Sequence, residues 1–377
     1  MAPPETAPRT AAAHPGVFLG TFALILLAMG ALFAVDLFLA GLERAERRSE
    51  ARHFYEEGMD LARRGRQAQA LDRFQSAIAA ERSNSVYHRA LAAAMLDAGK
   101  VAEAKVIAAE RLQHQPTDAA ASLLVARALV REGERREAVS YYHRAIYGEW
   151  DRDPAGNRMR SRFELVDVLA GMGAQRELLA ELLPLQDEAP TDLATQRRIA
   201  NLFLDAGAPS RAVEIFRALL REHGRDANTY AGLGEAELAR ANYRSARADF
   251  TAAAQLAPGD SAIARRLALA QRVIGLDPTQ RGLGSEERYR RSVELLDLTL
   301  QAADSCLGGN PGANQAFLDS VRAALVAPRR RSAGAHEAVE LNLDLAERLW
   351  ELRRGECAAL PTSAEEPVAL VLERVTQ

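Results

Sequence analysis

Arginine is the side chain with the most chemistry to offer in this chain. Of 48 basic residues only Lys100 and Lys105 are lysines. Nearly every positive charge therefore sits on a planar guanidinium that can grip a carboxylate through two parallel N–H donors. A bias this strong reads first as genomic base composition, with a functional preference for arginine as the alternative. Groups that make and break bonds are sparse. His14, His53, His88, His114, His143, His223 and His336 are scattered, and no two lie three or four residues apart to form a ligand couple on a helix. No Gly-rich phosphate loop, GxSxG elbow or HExxH sequence occurs. Carboxylates are plentiful, but at helix-surface spacings where solvated ion pairs are the default. Two cysteines, Cys306 and Cys357, are too few for a thiolate zinc site. These residues point to a binding protein, with no catalytic residues, no metal and no cofactor.

The elements that would carry such a binding surface are helices. Aromatic residues make up 6% of the chain while hydrophobic residues reach 48%, with Ala and Leu dominant, as in helices packed through small residues. At 377 residues the chain has room for two ordinary domains or one long array. A formal charge of −3 gives no global field for nucleic acid.

The organising stretch is Ala227 to Asp260. Tyr230, Leu233 and Gly234 fall on one face of a first helix, and Ala246, Phe250 and Ala253 on one face of a second, which Pro258 stops. Small Gly234 and Ala246 let the two backbones approach while Phe250 fills the space beside them. The same spacing recurs upstream, from Ala51 (Gly58, Gly65, Ala70, Phe74, Ala77), from Ser85 (Leu91, Gly99, Ala104, Pro116) and from Ala119 (Gly133, Ala138, Tyr142, Ala145). In the Ser85 repeat Arg111 replaces the usual small residue of the second helix. After about six extra residues in the segment Gly148 to Arg158, a degenerate repeat follows from Met159 (Leu165, Gly173, Leu178, Leu182, Pro190). Another starts at Leu193 (Gly207, Ala212, Phe216), and a terminal helix starts at Ser261. This order resembles the tetratricopeptide repeat, a 34-residue helix–turn–helix unit.

The resemblance implies a groove lined by the first helix of every repeat, through its second, fifth, ninth and twelfth positions. The residues implied are Arg52 and Tyr55, Arg89, Leu123 and Arg127, Phe163 and Asp167, Arg197 and Asn201, Asn228 and Glu235, with Arg265 extending the line. Arg89, Arg127, Arg197 and Arg265 would form a ladder for the carboxylates of an extended peptide. Arg197 with Asn201 looks like part of the family's carboxylate clamp, but the next repeat offers Ala231 and Glu235, a poor match. An ordinary solvated arginine is the alternative. Tyr55, Leu123 and Phe163 suit an apolar helix face equally well.

Ahead of the repeats, Val17 through Val35 is a run of 19 residues without a charge, and the apolar stretch resumes after Asp36 to Ala40. As a helix that run covers roughly 28 Å, close to the ~30 Å hydrocarbon core. A cleaved signal peptide is the alternative, but the run is long for one and lacks a small-x-small site. Gly16 and Gly20 form a GxxxG spacing that would let two membrane helices pair as a homodimer, or simply reflect the frequency of glycine in such helices. Arg44, Arg47, Arg48 and Arg52 follow the span and favour a cytoplasmic array, although Glu43, Glu46 and Glu50 interleave with them. After the loop DPTQRGLGSEE, helices are expected from Ser285 to Cys306, from Gln315 to Val326 and over HEAVELNLDLAERLWELRRGEC. Val368 to Leu372 packs back as a short helix or strand. Three antiparallel helices bring Cys306 and Cys357 to one edge, where they either cross-link, which would place the module outside the cytoplasm, or stay free.

The expected architecture is all-α. It has a disordered tail (1–16), a transmembrane helix (17–40), a juxtamembrane linker (41–50) and a tetratricopeptide-repeat α-solenoid of six repeats plus a terminal helix (51–276). A loop (277–283) and a C-terminal helical module (284–377) that covers the open end of the array complete it. The expected role is a scaffold or assembly factor at a bacterial-type inner membrane, holding partner proteins through extended or helical segments, with the periplasmic side slightly favoured. A cytoplasm-facing adaptor that tethers and regulates a soluble enzyme is the second reading. An enzyme with its site in the C-terminal module is the third.

Overall fold

The computed structural model describes residues 15–307, 312–326, 335–357, 362–363 and 365–375. Residues 1–14 of the expected tail, the turn at 308–311 and the PRRRSAG loop lie outside these, as do the side chains of residues 15–25, of Ala28, Cys306, Ala313, Ala335 and Val375. The described residues form α-helices, one 3₁₀ turn (Gly312–Asn314) and a single isolated bridge between Asp118 and Glu149. They divide into two compact units, Met1–Leu165 and Val166–Gln377.

In the first unit, α1 (Pro15–Arg63) is one unbroken helix of 49 residues. The expected linker at 41–50 is therefore helix. Its alternating charges supply pairs one turn apart, such as Arg47 to Glu43 at 3.2 Å, and Arg48 reaches Glu81 at 3.6 Å. The last turns of α1 pack on α2 (Gln67–Ala80) as the first helix pair. Next come α3 (Ser85–Asp97) with α4 (Val101–His114), and α5 (Ala119–Glu132) with α6 (Arg135–Tyr147). Helix α7 (Pro154–Gly171) begins five residues before the repeat register and contains the division between the units. In the second unit, α8 (Gln175–Glu188) is followed by α9 (Leu193–Asp205) with α10 (Pro209–His223), α11 (Ala227–Ala239) with α12 (Tyr243–Leu256), and α13 (Ser261–Leu276).

Two recurring devices set the 34-residue period. The first ends each leading helix. Gly65, Gly99, Gly133, Gly173 and Gly207 all have φ between 66° and 87°. At each, the glycine N–H and the next N–H donate back to carbonyls of the last helical turn, as from Gly133 to Val130 (3.2 Å) and from Glu134 to Leu129 (2.9 Å). In the sixth repeat Ala241 occupies this place, at φ 57°. The second device starts five of the leading helices. The side chains of Asn84, Asp118, Asp192, Asp226 and Asp260 accept from backbone N–H groups of the first turn.

Within the first and sixth pairs, an aromatic ring lies over a glycine. A Cβ on Gly58 would come within 2.7 Å of the Phe74 ring, and one on Gly234 within 2.8 Å of the Phe250 ring. Ala70, Ala77, Ala246 and Ala253 beside them are buried, as the helix spacing predicts. Arg111, which breaks the small-residue pattern, instead donates from Nε to Asp118 Oδ2 at 3.0 Å.

The C-terminal helices continue the core of the second unit. They are α14 (Ser285–Leu307), α15 (Gln315–Val326), α16 (Ala335–Glu356) and α17 (Glu366–Val375). The apolar run Val368–Leu372 is thus helix. Leu238, Tyr243, Val273 and Leu276 share one apolar cluster with Leu295, Leu349, Trp350, Val368 and Leu372. Tyr243 Oη donates to Leu370 O at 2.7 Å, and Arg374 Nη1 lies 2.5 Å from Asp277 Oδ2, a carboxylate with no exposed surface. Cys357, just beyond α16, is disulfide-bonded.

Among the described residues, no helix is long and apolar enough to cross a membrane. The described part of α1 nonetheless leaves Leu26, Leu27, Leu32, Phe33, Phe38 and Leu39 52–76% exposed. Successive residues at 100° steps put these side chains on every side of the helix.

Candidate peptide-binding groove

The leading helices of neighbouring repeats lie side by side, α1 against α3, α3 against α5 and α9 against α11. Residues at matching positions therefore meet across the seam. With each repeat numbered from residues 51, 85, 119, 159, 193, 227 and 261, one rule connects position 9 of a repeat to position 6 of the next. Asp167 takes Arg198 (2.5 Å), and Glu235 takes Arg266 Nε (2.5 Å), both 31 residues on. Arg127 donates to both Glu164 oxygens, at 2.9 and 2.6 Å and 37 residues on, which is the same step lengthened by the six-residue insertion. There the charges are exchanged: the arginine stands at position 9 and the carboxylate at position 6.

A second rule connects position 5 to the capping residue of the next leading helix, 29 residues on. Arg89 Nη1 donates to Asp118 Oδ2 at 2.8 Å, and Arg197 Nη1 to Asp226 Oδ2 at 3.0 Å. Asp118 is 2% exposed. Burial opposes its charge, but the Ala121 N–H, Arg111 and Arg89 outweigh this and hold its carboxyl below the ordinary value. For Asp226 burial is likewise outweighed, here by Thr229 and Arg197. Arg127 is pushed further up, chiefly by its hydrogen bonds to Glu164.

The expected groove residues thus fall into three groups. Arg89, Arg127 and Arg197, expected to await a partner's carboxylates, already hold carboxylates of this chain, while Asp167 and Glu235 accept from Arg198 and Arg266. Arg197 turns to Asp226 while Asn201 is exposed, so the two do not converge as a clamp. Leu123 is 7% exposed and belongs to the core, because α5 is flanked by apolar neighbours on most of its circumference. Tyr55 and Phe163 are half-buried, and Tyr55 packs 5.3 Å from the Tyr87 ring and 6.0 Å from that of Phe74. Arg52, Asn201, Asn228 and Arg265 remain exposed.

The sequence reading missed the capping aspartates and the position-6 partners Glu164, Arg198 and Arg266. A signal was available: an Asn or Asp stands immediately before the leading helix at 84, 118, 192, 226 and 260, in the repeat register apart from the insertion. The position-6 residues carried none, since a charge on a helix face does not name its partner.

No family model matches the chain. It is 27% identical over 201 residues to human Superkiller complex protein 3, a match that takes in 50% of this chain and 12% of that protein's length. Among solved structures it is similar to pilF of Pseudomonas aeruginosa (16% identity, TM-score 0.44, 60% of this chain and 98% of that one). It is also similar to the C-terminal part of a TPR repeat-containing protein from Cytophaga hutchinsonii (12% identity, TM-score 0.45, 83% and 98%). The recurring glycine turns, helix caps and ring-over-glycine contacts make this an all-α fold of tetratricopeptide-like helix pairs.

Proposed function

We propose that the chain is a membrane-anchored scaffold that holds segments of partner proteins against the leading helices of its repeats, and that it performs no catalysis. The observation that carries this reading is α1. Between Leu26 and Leu42 the described large apolar side chains of α1 are exposed on every side of the helix, and the same helix continues into the first repeat. A bilayer suits such a surface, with the uncharged run Val17–Val35 in the hydrocarbon and the charged turns from Glu43 onward at the headgroups. Each unit offers its own contacts to an extended or helical segment: exposed Arg52 with half-buried Tyr55 and Phe163 in the first, and exposed Asn201, Asn228 and Arg265 in the second.

The repeats face away from the cytoplasm in this reading. Support comes from Cys357, which is disulfide-bonded in a chain whose other cysteine is Cys306. Such bonds persist in oxidising compartments. The arginines after the span favour the opposite side, and with it the adaptor reading. Protease treatment of intact and permeabilised spheroplasts, with thiol labelling before and after reduction, separates the two. Outward orientation gives digestion in intact spheroplasts and labelling of both cysteines only after reduction. Protection until permeabilisation, with thiols labelled from the start, overturns it. Recovery of the full chain in the soluble fraction overturns the anchor itself.

A further inference from the structure

The six residues that interrupt the repeat register form a clasped loop in the first unit. Its start is fixed where Gly148 lies so close to the neighbouring backbone that a Cβ would meet Arg144 O at 2.5 Å and Thr117 O at 2.8 Å. Glu149 N–H donates to Thr117 O (2.8 Å) and its carbonyl accepts from Ala119 N–H (3.1 Å), while Trp150 Nε1 donates to Ala145 O (2.8 Å). At the far end Asp153 accepts from Gly156 N–H (3.1 Å) and Asn157 Nδ2 donates to Arg152 O (2.8 Å). Between these anchors Asp151 accepts from Arg89 Nη2.

The charges explain why a carboxylate belongs there. Arg89 and Arg111 both donate to the one buried carboxylate of Asp118, which leaves the trio with a surplus positive charge. Asp151 supplies the second negative charge. The two carboxylates differ in how easily they could leave. Asp118 is 2% exposed and caps α5, whereas the Asp151 side chain is 60% exposed. With the loop backbone anchored on both sides, releasing Arg89 needs only a rotation of the Asp151 side chain.

We propose that Asp151 is a built-in competitor that occupies the Arg89 seat until a carboxylate side chain of an acidic partner segment displaces it. The inference rests on the groove reading above and adds a gate to it. Asp151 mimics the ligand, so only a segment presenting several carboxylates in sequence outcompetes it, through its higher local concentration of acid groups.

The test uses the purified full chain and a fluorescein-labelled hexaglutamate peptide, with hexaglutamine as control, followed by anisotropy at low and at physiological salt. Asp151→Asn keeps the size of the side chain and, because that side chain is exposed, the fold, which a thermal melt checks. It should tighten hexaglutamate binding at least about tenfold, the scale of one charge-assisted hydrogen bond. Adding Arg89→Gln should abolish the gain. Equal affinities for the wild type and Asp151→Asn, with Arg89→Gln weaker than both, overturn the gate and leave the groove standing. A gain that survives Arg89→Gln overturns the assignment of the seat. Absence of binding to either form overturns both the gate and the groove as a receptor for acidic segments.

Discussion

Asp249 shows how one side chain can set a pH dependence. It lies half-buried near Glu237, which is 1% exposed and held by Arg217 (2.6 Å), Asn242 (2.8 Å) and Arg240 (3.3 Å). Burial first, and the field of Glu237 second, push its carboxyl up from 3.8 to about 6, against the pull of Arg217. A raised acid binds its proton more tightly in the folded state. Stability therefore falls as pH rises from the ordinary value through 6, and the loss is complete above that. Asp249→Asn removes the titration. It should stabilise the protein by roughly 1 kcal/mol at pH 8, a figure discounted for partial solvent access, and should change little at pH 4. Thermal melts at the two pH values check this, and an equal effect at both would contradict the assignment. The capping aspartates run the other way. The lowered carboxyls of Asp118 and Asp226 contribute fully above their ordinary value of 3.8, and that contribution is lost as pH falls towards their native values.

Among the elements, the turn that closes each leading helix is the most uniform feature, and the sixth repeat departs from it. Ala241 holds φ 57° where the others have glycine. A side chain in the left-handed region costs about 1–2 kcal/mol. Ala241→Gly should therefore raise the urea midpoint, with a gain in stability of about 1 kcal/mol after the greater freedom of glycine in the unfolded chain is subtracted, while Gly133→Ala should lower stability by a similar amount. An unchanged or lowered midpoint for Ala241→Gly would show that the turn stores no strain. The glycines at five of the turns, the alanines of the second helices and the ring at Phe74 or Phe250 were legible in the sequence because each of these positions favours one residue type at one spacing. The apolar run at Val368 was not assignable to helix or strand, since five residues carry too little periodicity. Its state follows from the surface that Tyr243, Val273 and Leu276 present to it. The groove was legible only as a face. Which positions line a seam follows from the repeat register, but whether Arg89 or Arg197 waits for a partner or holds Asp118 or Asp226 depends on a cap 29 residues away.

Across the whole molecule, the last helix joins the array to its C-terminal module. Helix α17 buries Val368, Ala369, Val371 and Leu372, receives the Tyr243 hydroxyl, and carries the arginine that neutralises the fully buried Asp277. A chain ending at Cys357 loses all of these. It should be less stable by about 5 kcal/mol or more, from the apolar surface uncovered and the charge left buried. Urea titration, with a hydrophobic dye to report exposed core, measures this; a truncated chain as stable as the full one would show that α17 is merely appended. The pairing of position 9 with position 6 reaches further still, into how such an array can grow. Repeat proteins lengthen when a unit is copied in tandem, and here a copy of the fourth repeat would keep the pairs with Arg127 and Arg198 at its two outer seams but set Asp167 of the first copy against Glu164 of the second, acid facing acid, at the new seam between them. Three seams carry such a charge pair, one of them with the signs exchanged, so part of the order of the repeats is written in charge, and a duplication that ignores it begins life at a disadvantage.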